Sequence, residues 1–203
     1  MNRWRRILCL GFVNLVIAVG WIQLDKSDNS GRFAYAEEQD IDSPYIAPFV
    51  PTPQEVVDRM LELAQVREGD LLYDLGSGDG RIVITAATRY GAKAVGFEID
   101  HALVTRSQQN IKEAGVEGLA EIREQDVRTV DLSPASVVTM YLYPGANLRL
   151  RSAITRQLKP GSRVVSHDFN MGDWKPDRME RITDSAGTLR TIYLWRIGAQ
   201  STH

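Results

Sequence analysis

Short apolar runs alternate along most of the chain with longer stretches in which apolar residues recur at helical spacing. The short runs are typical of buried strands, and the spaced pattern is typical of amphipathic helices. Strands are predicted at 70–75, 94–99, 119–126, 136–143 and 162–169. Helices are predicted at 52–66, 81–90 and 100–115, and again where Leu150, Ile154 and Leu158 form an apolar stripe. This alternation predicts a mostly parallel sheet with helices on both of its faces.

Polar residues and glycines mark where the predicted helices begin and end. The sequence TPQE has the form of a capping box, in which Thr52 caps the first helix and Glu55 reaches back to it. Asp100 is predicted to cap a later helix, and Gly91 and Gly115 are predicted to end two of them.

The alternation breaks near the C-terminus, where a hairpin is predicted. The runs 177–183 and 189–197 flank a turn at 185–187, and together they bring the predicted strands to seven. One strand of this hairpin must run against the others. We therefore expect an α/β fold: a Rossmann-like, doubly wound seven-stranded sheet, mostly parallel with an antiparallel strand near the C-terminus.

The N-terminus has a different pattern. A basic start precedes an apolar stretch at 7–24, and Ala34-Tyr35-Ala36 has the small-residue form of a cleavage site. This is the layout of a secretory signal, but an uncleaved membrane anchor and an organelle import signal are alternatives. We expect the protein to be membrane-associated or exported, with residues 1–36 as the signal or anchor, 37–47 as a linker, 48–198 as the main domain and 199–203 as a tail.

Charge argues against a partner that is bound through its phosphates. The chain has 24 basic and 26 acidic residues, and the first 36 residues hold five of the basic and two of the acidic ones, so the remainder carries a net charge of about −5. A nucleic-acid partner is therefore not expected. The single cysteine, Cys9, lies in the apolar stretch, and no metal-ligand spacing is present, so neither thiol nor metal chemistry is expected.

A glycine-rich loop follows the first predicted strand. The stretch YDLGSGDGR, at 73–81, has glycines at three alternate positions, so a neighbour must approach the backbone closely there. A dinucleotide fingerprint would place its third glycine where Arg81 stands, and no Gly-Lys-Ser/Thr follows as in a P-loop. Arg81 thus argues strongly against a nicotinamide-dependent oxidoreductase.

Acidic residues close the first three predicted strands: Asp74, Glu98 and Asp126. The carboxyl ends of parallel strands meet at one edge of a sheet, where such folds bind their ligands. A cleft with three carboxylates repels polyphosphate and attracts a cation. Glu98 could accept hydrogen bonds from two ribose hydroxyls, and Asp126 could accept one from an adenine amine. S-adenosylmethionine combines a sulfonium, an ammonium, a ribose and an adenine.

The same segments carry a resemblance to a known family. LLYDLGSGDGRIV, AVGFEID and REQDV resemble, in order and spacing, the first three cofactor motifs of class I, seven-β-strand S-adenosylmethionine-dependent methyltransferases. PFVPTP, VVTMYLYPGANLRLR and RVVSHDFNMGDWKP are similar to segments of the mitochondrial lysine methyltransferases of the ATP synthase c-subunit and the adenine nucleotide translocase, and of their prokaryotic relatives. The resemblance covers roughly residues 48–197. It implies methylation of a protein lysine, and we expect a membrane-associated substrate.

The resemblance also implies which residues hold S-adenosyl-L-methionine. The expected cofactor-binding residues are Thr52, Asp74, Gly76, Ser77, Gly78, Asp79, Gly80, Glu98, Asp126 and Val127. The glycines would let the backbone approach the methionine part, and Asp74 and Asp79 would lie near its ammonium. Ser77 would bond its carboxylate, and Thr52 would lie over the methionine end if its segment folds back. A turn or cap role is the alternative for the acidic residues and for Thr52.

The acceptor side is marked by MYLYP after the fourth predicted strand. Many amide and nucleobase N-methyltransferases carry Asn/Asp-Pro-Pro-Tyr/Phe there, so the departure counts against nucleobase and glutamine acceptors. Tyr141 and Tyr143 could line an apolar slot for an alkyl amine, with plain packing as the alternative. His167 and Asp168 end the fifth predicted strand and could accept a proton or steer the acceptor, with a structural histidine as the alternative.

Two other functions fit the same motifs: a methyltransferase acting on a small molecule, and a protein that binds S-adenosylmethionine without catalysis. The short span from the fourth strand to the hairpin leaves little room for a substrate lid. This favours an extended, macromolecular substrate over a small molecule.

Overall fold

The computed structural model of the protein describes residues 49–198. The predicted signal or anchor, the linker and the tail lie outside the described residues, as does Pro48. Within the described range, no helix is both long enough and apolar enough to cross a bilayer.

A single sheet organises the described residues. Its strands are β1 (Leu71–Leu75), β2 (Lys93–Glu98), β3 (Ala120–Glu124), β4 (Val137–Met140), β5 (Arg163–His167), β6 (Arg178–Thr183) and β7 (Leu189–Arg196). Their spatial order is β3-β2-β1-β4-β5-β7-β6, and only β7 runs antiparallel to its neighbours. The predicted fold class is confirmed. Because chain order reverses between β1 and β4, the switch point lies at the carboxyl end of β1.

Helices cover the two faces unequally. They are α1 (Gln54–Leu63), α2 (Arg81–Tyr90), α3 (His101–Ala114) and α4 (Pro144–Gln157). Successive strand residues point to opposite faces, so Leu72 belongs to the apolar cluster under α1, α2 and α3, while Tyr73 belongs to the one under α4. The link from β5 to β6 contains no helix, and its residues 169–171 are hydrogen-bonded to Asn147 and Arg151 of α4.

Three of the predicted helix boundaries are confirmed in detail. The Asp100 carboxylate accepts hydrogen bonds from the backbone N–H groups of Ala102 and Leu103 at the start of α3. Gly91 and Gly115 end α2 and α3 with φ values of 62° and 66°, in the left-handed region that favours glycine.

The prediction of a capping box at Thr52 is wrong. No side chain caps α1, which begins at Gln54. The Thr52 hydroxyl instead lies 3.3 Å from Nδ1 of His167, and the Glu55 carboxylate accepts a hydrogen bond from the backbone of Ser185 in the β6–β7 turn. Distant partners have replaced the local ones, which sequence spacing alone cannot reveal.

The third and fourth strands are shorter than predicted. β3 ends at Glu124, so Asp126 follows the strand rather than closing it. β4 ends at Met140, so Tyr141 and Tyr143 lie in the connection to α4. The neighbouring strand β1 pairs with β4 only as far as Leu75, which limits how far the ladder extends.

A buried ion pair holds the opposite edge of the sheet. Asp70 and Arg163 are 6% and 8% exposed, and their side chains are hydrogen-bonded to each other. Arg163 also donates to the carbonyl oxygens of Ala64 and Gln65, at 3.1 Å each, after the end of α1. Burial opposes the ionisation of Asp70, but the hydrogen bonds from Arg163 and Ser136 outweigh it and hold its pKa below the usual value.

We predict that Arg163→Met destabilises the domain by about 3–5 kcal/mol, because it leaves the Asp70 charge buried without its cation. Urea unfolding at pH 7 measures the change in the free energy of unfolding. The double variant Asp70→Asn, Arg163→Met leaves no buried charge and should recover part of the loss. A cost of Arg163→Met below about 1 kcal/mol would contradict this account.

Candidate functional site

Two adjoining pockets lie at the carboxyl edge of the sheet, beside the switch point. The glycine loop, residues 76–80, connects β1 to α2 there. The first pocket lies between this loop and residues 49–52, here called the N-terminal strap, with Asp74 and Tyr141 on its wall. The second extends along the ends of β2 and β3, and both pockets are lined by Gly76 and Leu142. Residues 49–52, which belong to the segment PFVPTP, therefore lie over the loop.

A side chain is disfavoured at all three loop glycines, but the neighbour that it would meet differs from one glycine to the next. Gly76, Gly78 and Gly80 have φ values of 78°, 55° and 81°, in the region that side chains rarely adopt. A Cβ on Gly76 would lie 2.8 Å from Leu142, and one on Gly78 would lie 2.4 Å from the Phe49 ring. A Cβ on Gly80 would instead lie 3.1 Å from Ser107 in α3, and Gly80 lines neither pocket. Gly80 therefore packs against α3, and its expected role at the cofactor stays a prediction.

Asp74 lies at the base of the first pocket and is 2% exposed. Its Oδ1 accepts a hydrogen bond of 2.7 Å from the Thr139 hydroxyl in β4. Burial raises the pKa of Asp74 to about 7; the Thr139 hydrogen bond opposes this rise, and the charges of Glu98 and Asp79 add to it. A cation in the pocket would favour the ionised carboxylate.

Asp79 already has a cation beside it. Arg81 donates to both of its carboxylate oxygens, at 2.9 and 2.6 Å, and to the Thr52 carbonyl oxygen at 2.6 Å. Burial opposes ionisation of Asp79, but Arg81 outweighs it and lowers the pKa. The residue that breaks the dinucleotide fingerprint therefore ties the glycine loop to the N-terminal strap. Sequence reasoning missed these hydrogen bonds of Arg81, although the position of Asp79 two residues before it was a signal for their ion pair.

Glu98, the last residue of β2, holds the backbone of the site. Its Oε2 accepts a hydrogen bond from the Gly78 N–H at 2.8 Å, and its Oε1 accepts from Ile99 and Asp100 at 2.8 and 3.0 Å. An ionised carboxylate has about four acceptor positions, so one on Oε2 is left for a further donor. Glu98 lines the second pocket.

Asp126 and Val127 also line the second pocket, beyond the end of β3. The Asp126 carboxylate accepts hydrogen bonds from the backbone and guanidinium of Arg128, and it caps the short 3₁₀ turn at 127–129. Arg128 lowers the pKa of Asp126, against the opposing effect of burial. The turn role considered for this residue is thus present, and it leaves the carboxylate at the pocket wall.

The Ser77 hydroxyl is directed at the sheet. A Cβ on Gly96 in β2 would lie 2.6 Å from both Cβ and Oγ of Ser77, so this glycine makes room for the serine. Ser77 Oγ is buried and has no hydrogen-bond partner among residues 49–198. The expected contact between this hydroxyl and a ligand carboxylate is therefore not prepared by its orientation, although Ser77 lines the first pocket.

His167 lies behind the first pocket and is fully buried. Its ring contacts that of Tyr141, with centroids 3.9 Å apart, and its Nδ1 lies 3.3 Å from Thr52 Oγ1. Burial lowers the pKa of His167 to about 4; Asp168 opposes this effect, and Arg190 adds to it. The imidazole is therefore neutral at physiological pH and is a weak base.

Asp168 is held by β7 rather than by the pocket. Its carboxylate accepts hydrogen bonds from the Thr191 N–H at 2.8 Å and from Arg190 at 3.2 Å, and its φ of 56° is in the left-handed region. Asp168 lines neither pocket. Its position suits a residue that orients His167.

Three rings form an aromatic wall beside the first pocket: Tyr141, Tyr143 and Phe169. Phe169 stacks on Tyr141 and meets the edge of Tyr143, with centroids 6.0 Å apart in both pairs. Tyr141 lines the pocket, whereas Tyr143 lies one ring further out. Sequence reasoning missed Phe169, because no local pattern indicates which rings meet after the loops fold.

Comparisons with known proteins agree on methyl transfer. The model of the ANTKMT methyltransferase domain family matches residues 74–178. A protein-lysine N-methyltransferase of Saccharolobus islandicus is 45% identical over 152 residues, which are 74% of this chain and 94% of that protein. The human lysine N-methyltransferase of the ATP synthase c-subunit is 36% identical over 132 residues, which are 65% of this chain and 56% of the human protein.

A related solved structure contains S-adenosyl-L-homocysteine, the product left by the methyl donor, and is named for a different acceptor, RNA. The crystal structure of an RNA methyltransferase from Salinibacter ruber in complex with S-adenosyl-L-homocysteine is 57% identical, with a TM-score of 0.68, and the match covers 73% of this chain and 94% of that chain. The relatives thus share the donor chemistry but differ in the named acceptor.

We predict that S-adenosylhomocysteine binds more tightly as pH rises from 6 to 8, by up to about tenfold, and that the gain levels off above about pH 8. The reason is that Asp74, with a pKa of about 7, must ionise to attract the ligand's ammonium. Isothermal titration calorimetry at several pH values measures the affinity. Asp74→Asn should bind weakly at every pH.

The stability of Asp74→Asn distinguishes the loss of this electrostatic attraction from misfolding of the variant. Because the folded state raises the pKa of Asp74, the contribution of this one group to the stability of the ligand-free domain decreases as pH rises from about 4 through 7. Asp74→Asn should therefore be at least as stable as the original protein at pH 8. A variant that is both destabilised and unable to bind would count against an electrostatic role for Asp74.

Proposed function

Because this chain belongs to the ANTKMT methyltransferase domain family and is therefore an S-adenosylmethionine-dependent methyltransferase, we propose that its acceptor is a lysine side chain of a protein. The observation that carries the proposal is the buried Asp74 carboxylate beside a wall of aromatic rings. The first feature suits a cationic methyl donor, and the second suits an alkyl amine.

The residues of the two pockets fit the donor. Asp74, with Asp79 nearby, would hold the ammonium of the methionine part in the first pocket. In the second pocket, Glu98 has an acceptor position for a ribose hydroxyl, and Asp126 would hold the adenine beside Val127. When bound, S-adenosylmethionine supplies a methyl group on a positively charged sulfur.

The chain's own contribution to the reaction is alignment and exclusion of water. In-line transfer needs a neutral amine held close to the methyl group, and alignment alone contributes about 7–11 kcal/mol at best. A lysine has an unperturbed pKa of about 10.4, and both desolvation and a nearby cation lower it. The buried, neutral His167 is not required as a base for a lysine that arrives deprotonated.

The aromatic wall favours a lysine over a nucleobase. A flipped base is usually stacked between two separate side-chain faces, with a gap between them that the base fills. Here the rings contact one another, with Phe169 against both Tyr141 and Tyr143. A continuous wall supports the alkyl chain of a lysine by apolar packing.

RNA methylation is the second candidate function, because the Salinibacter relative carries that name at 57% identity. The net charge of about −5 on residues 37–203 argues against it, since RNA binding depends on neutralising phosphates. A small-molecule acceptor and binding without catalysis are the remaining alternatives.

The decisive experiment incubates the purified domain with methyl-labelled S-adenosylmethionine and either membranes, soluble proteins or total RNA. We expect label in a protein band that protease removes and ribonuclease does not, with methyl-lysine after acid hydrolysis. Asp74→Asn is the control and should reduce labelling by at least about tenfold. Label that ribonuclease removes would assign the RNA function. Donor binding without any S-adenosylhomocysteine release, whichever acceptor preparation is present, would indicate a non-catalytic protein.

We also propose that the N-terminal stretch places the enzyme at a membrane. The basic start and the apolar residues 7–24 support this proposal. Basic residues before such a stretch favour export of the domain, whereas S-adenosylmethionine is made in the cytoplasm, so the side of the membrane needs measurement.

We predict that the full chain sediments with membranes and that a chain lacking residues 1–36 stays soluble. Fractionation measures both, and protease added to sealed vesicles reports the side. Recovery of the full chain, with its N-terminus intact, in the soluble fraction would contradict the prediction.

A further inference from the structure

Thr52 occupies the junction between the donor loop and the acceptor strand. Its carbonyl oxygen accepts a hydrogen bond from Arg81, which also binds Asp79 of the glycine loop. Its hydroxyl faces His167 at the end of β5, and Thr52 itself is 5% exposed on the wall of the first pocket. One residue of the N-terminal strap is therefore bonded to both halves of the site.

The surroundings of His167 determine the direction of this hydrogen bond. Its Nε2 lies 3.3 Å from the Asp168 carboxylate, close enough for electrostatic attraction although the contact lacks hydrogen-bond geometry. A carboxylate next to Nε2 stabilises the tautomer with its proton on that nitrogen. Nδ1 then has a lone pair, so the Thr52 hydroxyl donates to it.

The Asp168 carboxylate is held next to Nε2 of His167 by its own hydrogen bonds. Thr191 donates to it through the backbone, and Arg190 bonds both Asp168 and Asp184. Burial keeps the imidazole neutral, with Arg190 reinforcing this and the two aspartates opposing it. The ring thus remains a hydrogen-bond acceptor at Nδ1 throughout the physiological range.

The hydroxyl of Thr52 has no other hydrogen-bond partner among the described residues, and it does not cap α1. With its single proton committed to His167, the remaining lone pairs on Oγ1 are available to the pocket that Thr52 lines. A valine would fill the same space without these lone pairs.

We propose that His167 is a positioning residue which, by accepting the Thr52 hydroxyl proton and packing against Tyr141, presents Thr52 Oγ1 as an acceptor to the sulfonium end of the donor. The assignment to the sulfonium end follows because Thr52 and Tyr141, a candidate acceptor-side residue, line the first pocket together and both contact His167. This inference rests on the proposed function, since it requires a cationic methyl donor in this pocket.

The test compares two ligands that differ in the sulfonium charge. S-adenosylmethionine carries it and S-adenosylhomocysteine does not, whereas both carry the ammonium. We expect Thr52→Val to weaken binding of S-adenosylmethionine by about tenfold and that of S-adenosylhomocysteine by less than about threefold. Thr52→Ser, which keeps the hydroxyl, is the matched control and should change both affinities by less than about threefold.

The positioning role of His167 is tested by comparing His167 variants with Thr52→Val. We expect His167→Phe to mimic Thr52→Val and to cost little more in the Thr52→Val background, because the two residues act as one unit. His167→Asn places an amide near the position of Nδ1 and should restore most of the preference for S-adenosylmethionine. If His167→Phe does not fold, the threonine pair and the asparagine variant still decide the question.

A measurement without any ligand reports the hydrogen bond itself. The chain has three histidines, so nitrogen NMR of histidine-labelled protein can resolve the buried ring. We expect His167 as the Nε2-protonated tautomer near neutral pH, with an Nδ1 resonance that shifts in Thr52→Val and not in Thr52→Ser.

Equal weakening of both ligands by Thr52→Val, additive effects of the two residues, or an Nδ1-protonated ring would each overturn the inference and leave the proposed function intact. Failure of the original protein to bind either ligand would overturn the proposed function, and this inference with it.

Discussion

A carboxylate buried at the end of the central strand, with no cation beside it among the described residues, is the constraint on which the site depends. Asp74 is hydrogen-bonded by Thr139, and the charges of Glu98 and Asp79 oppose its ionisation. Such a group disfavours its own charge in the empty pocket and favours it once a cation is bound. A methyl donor that carries a sulfonium and an ammonium therefore relieves this unfavourable electrostatic energy when it binds beside Asp74.

Each of the other carboxylates of the site already has a cation or several backbone N–H groups beside it, which directs the methyl donor to Asp74. Arg81 neutralises Asp79, and Arg128 neutralises Asp126. The Glu98 carboxylate is stabilised by three backbone N–H groups and in turn fixes the glycine loop. This arrangement of carboxylates selects a cationic ligand over a polyphosphate.

The acceptor side is framed by connections rather than by helices. The connection from β5 to β6 carries no helix, and the face under α4 is covered by that helix alone among the described helices. The aromatic wall lies on the connections that follow β4 and β5. The chemistry of this wall is what supports a lysine as the acceptor.

The sequence alone determined the order of helices and strands, the caps at Asp100, Gly91 and Gly115, and the crevice with Asp74 and Glu98, because periodicity, turn chemistry and parallel strand ends are local properties. Only the tertiary structure decided that Thr52 bonds His167, 115 positions away, instead of capping a helix. The same holds for Gly80 against α3 and for Phe169 against the two tyrosines. Burial strengthens a hydrogen bond between distant residues beyond any local alternative, and a sequence does not show which distant groups will be buried together.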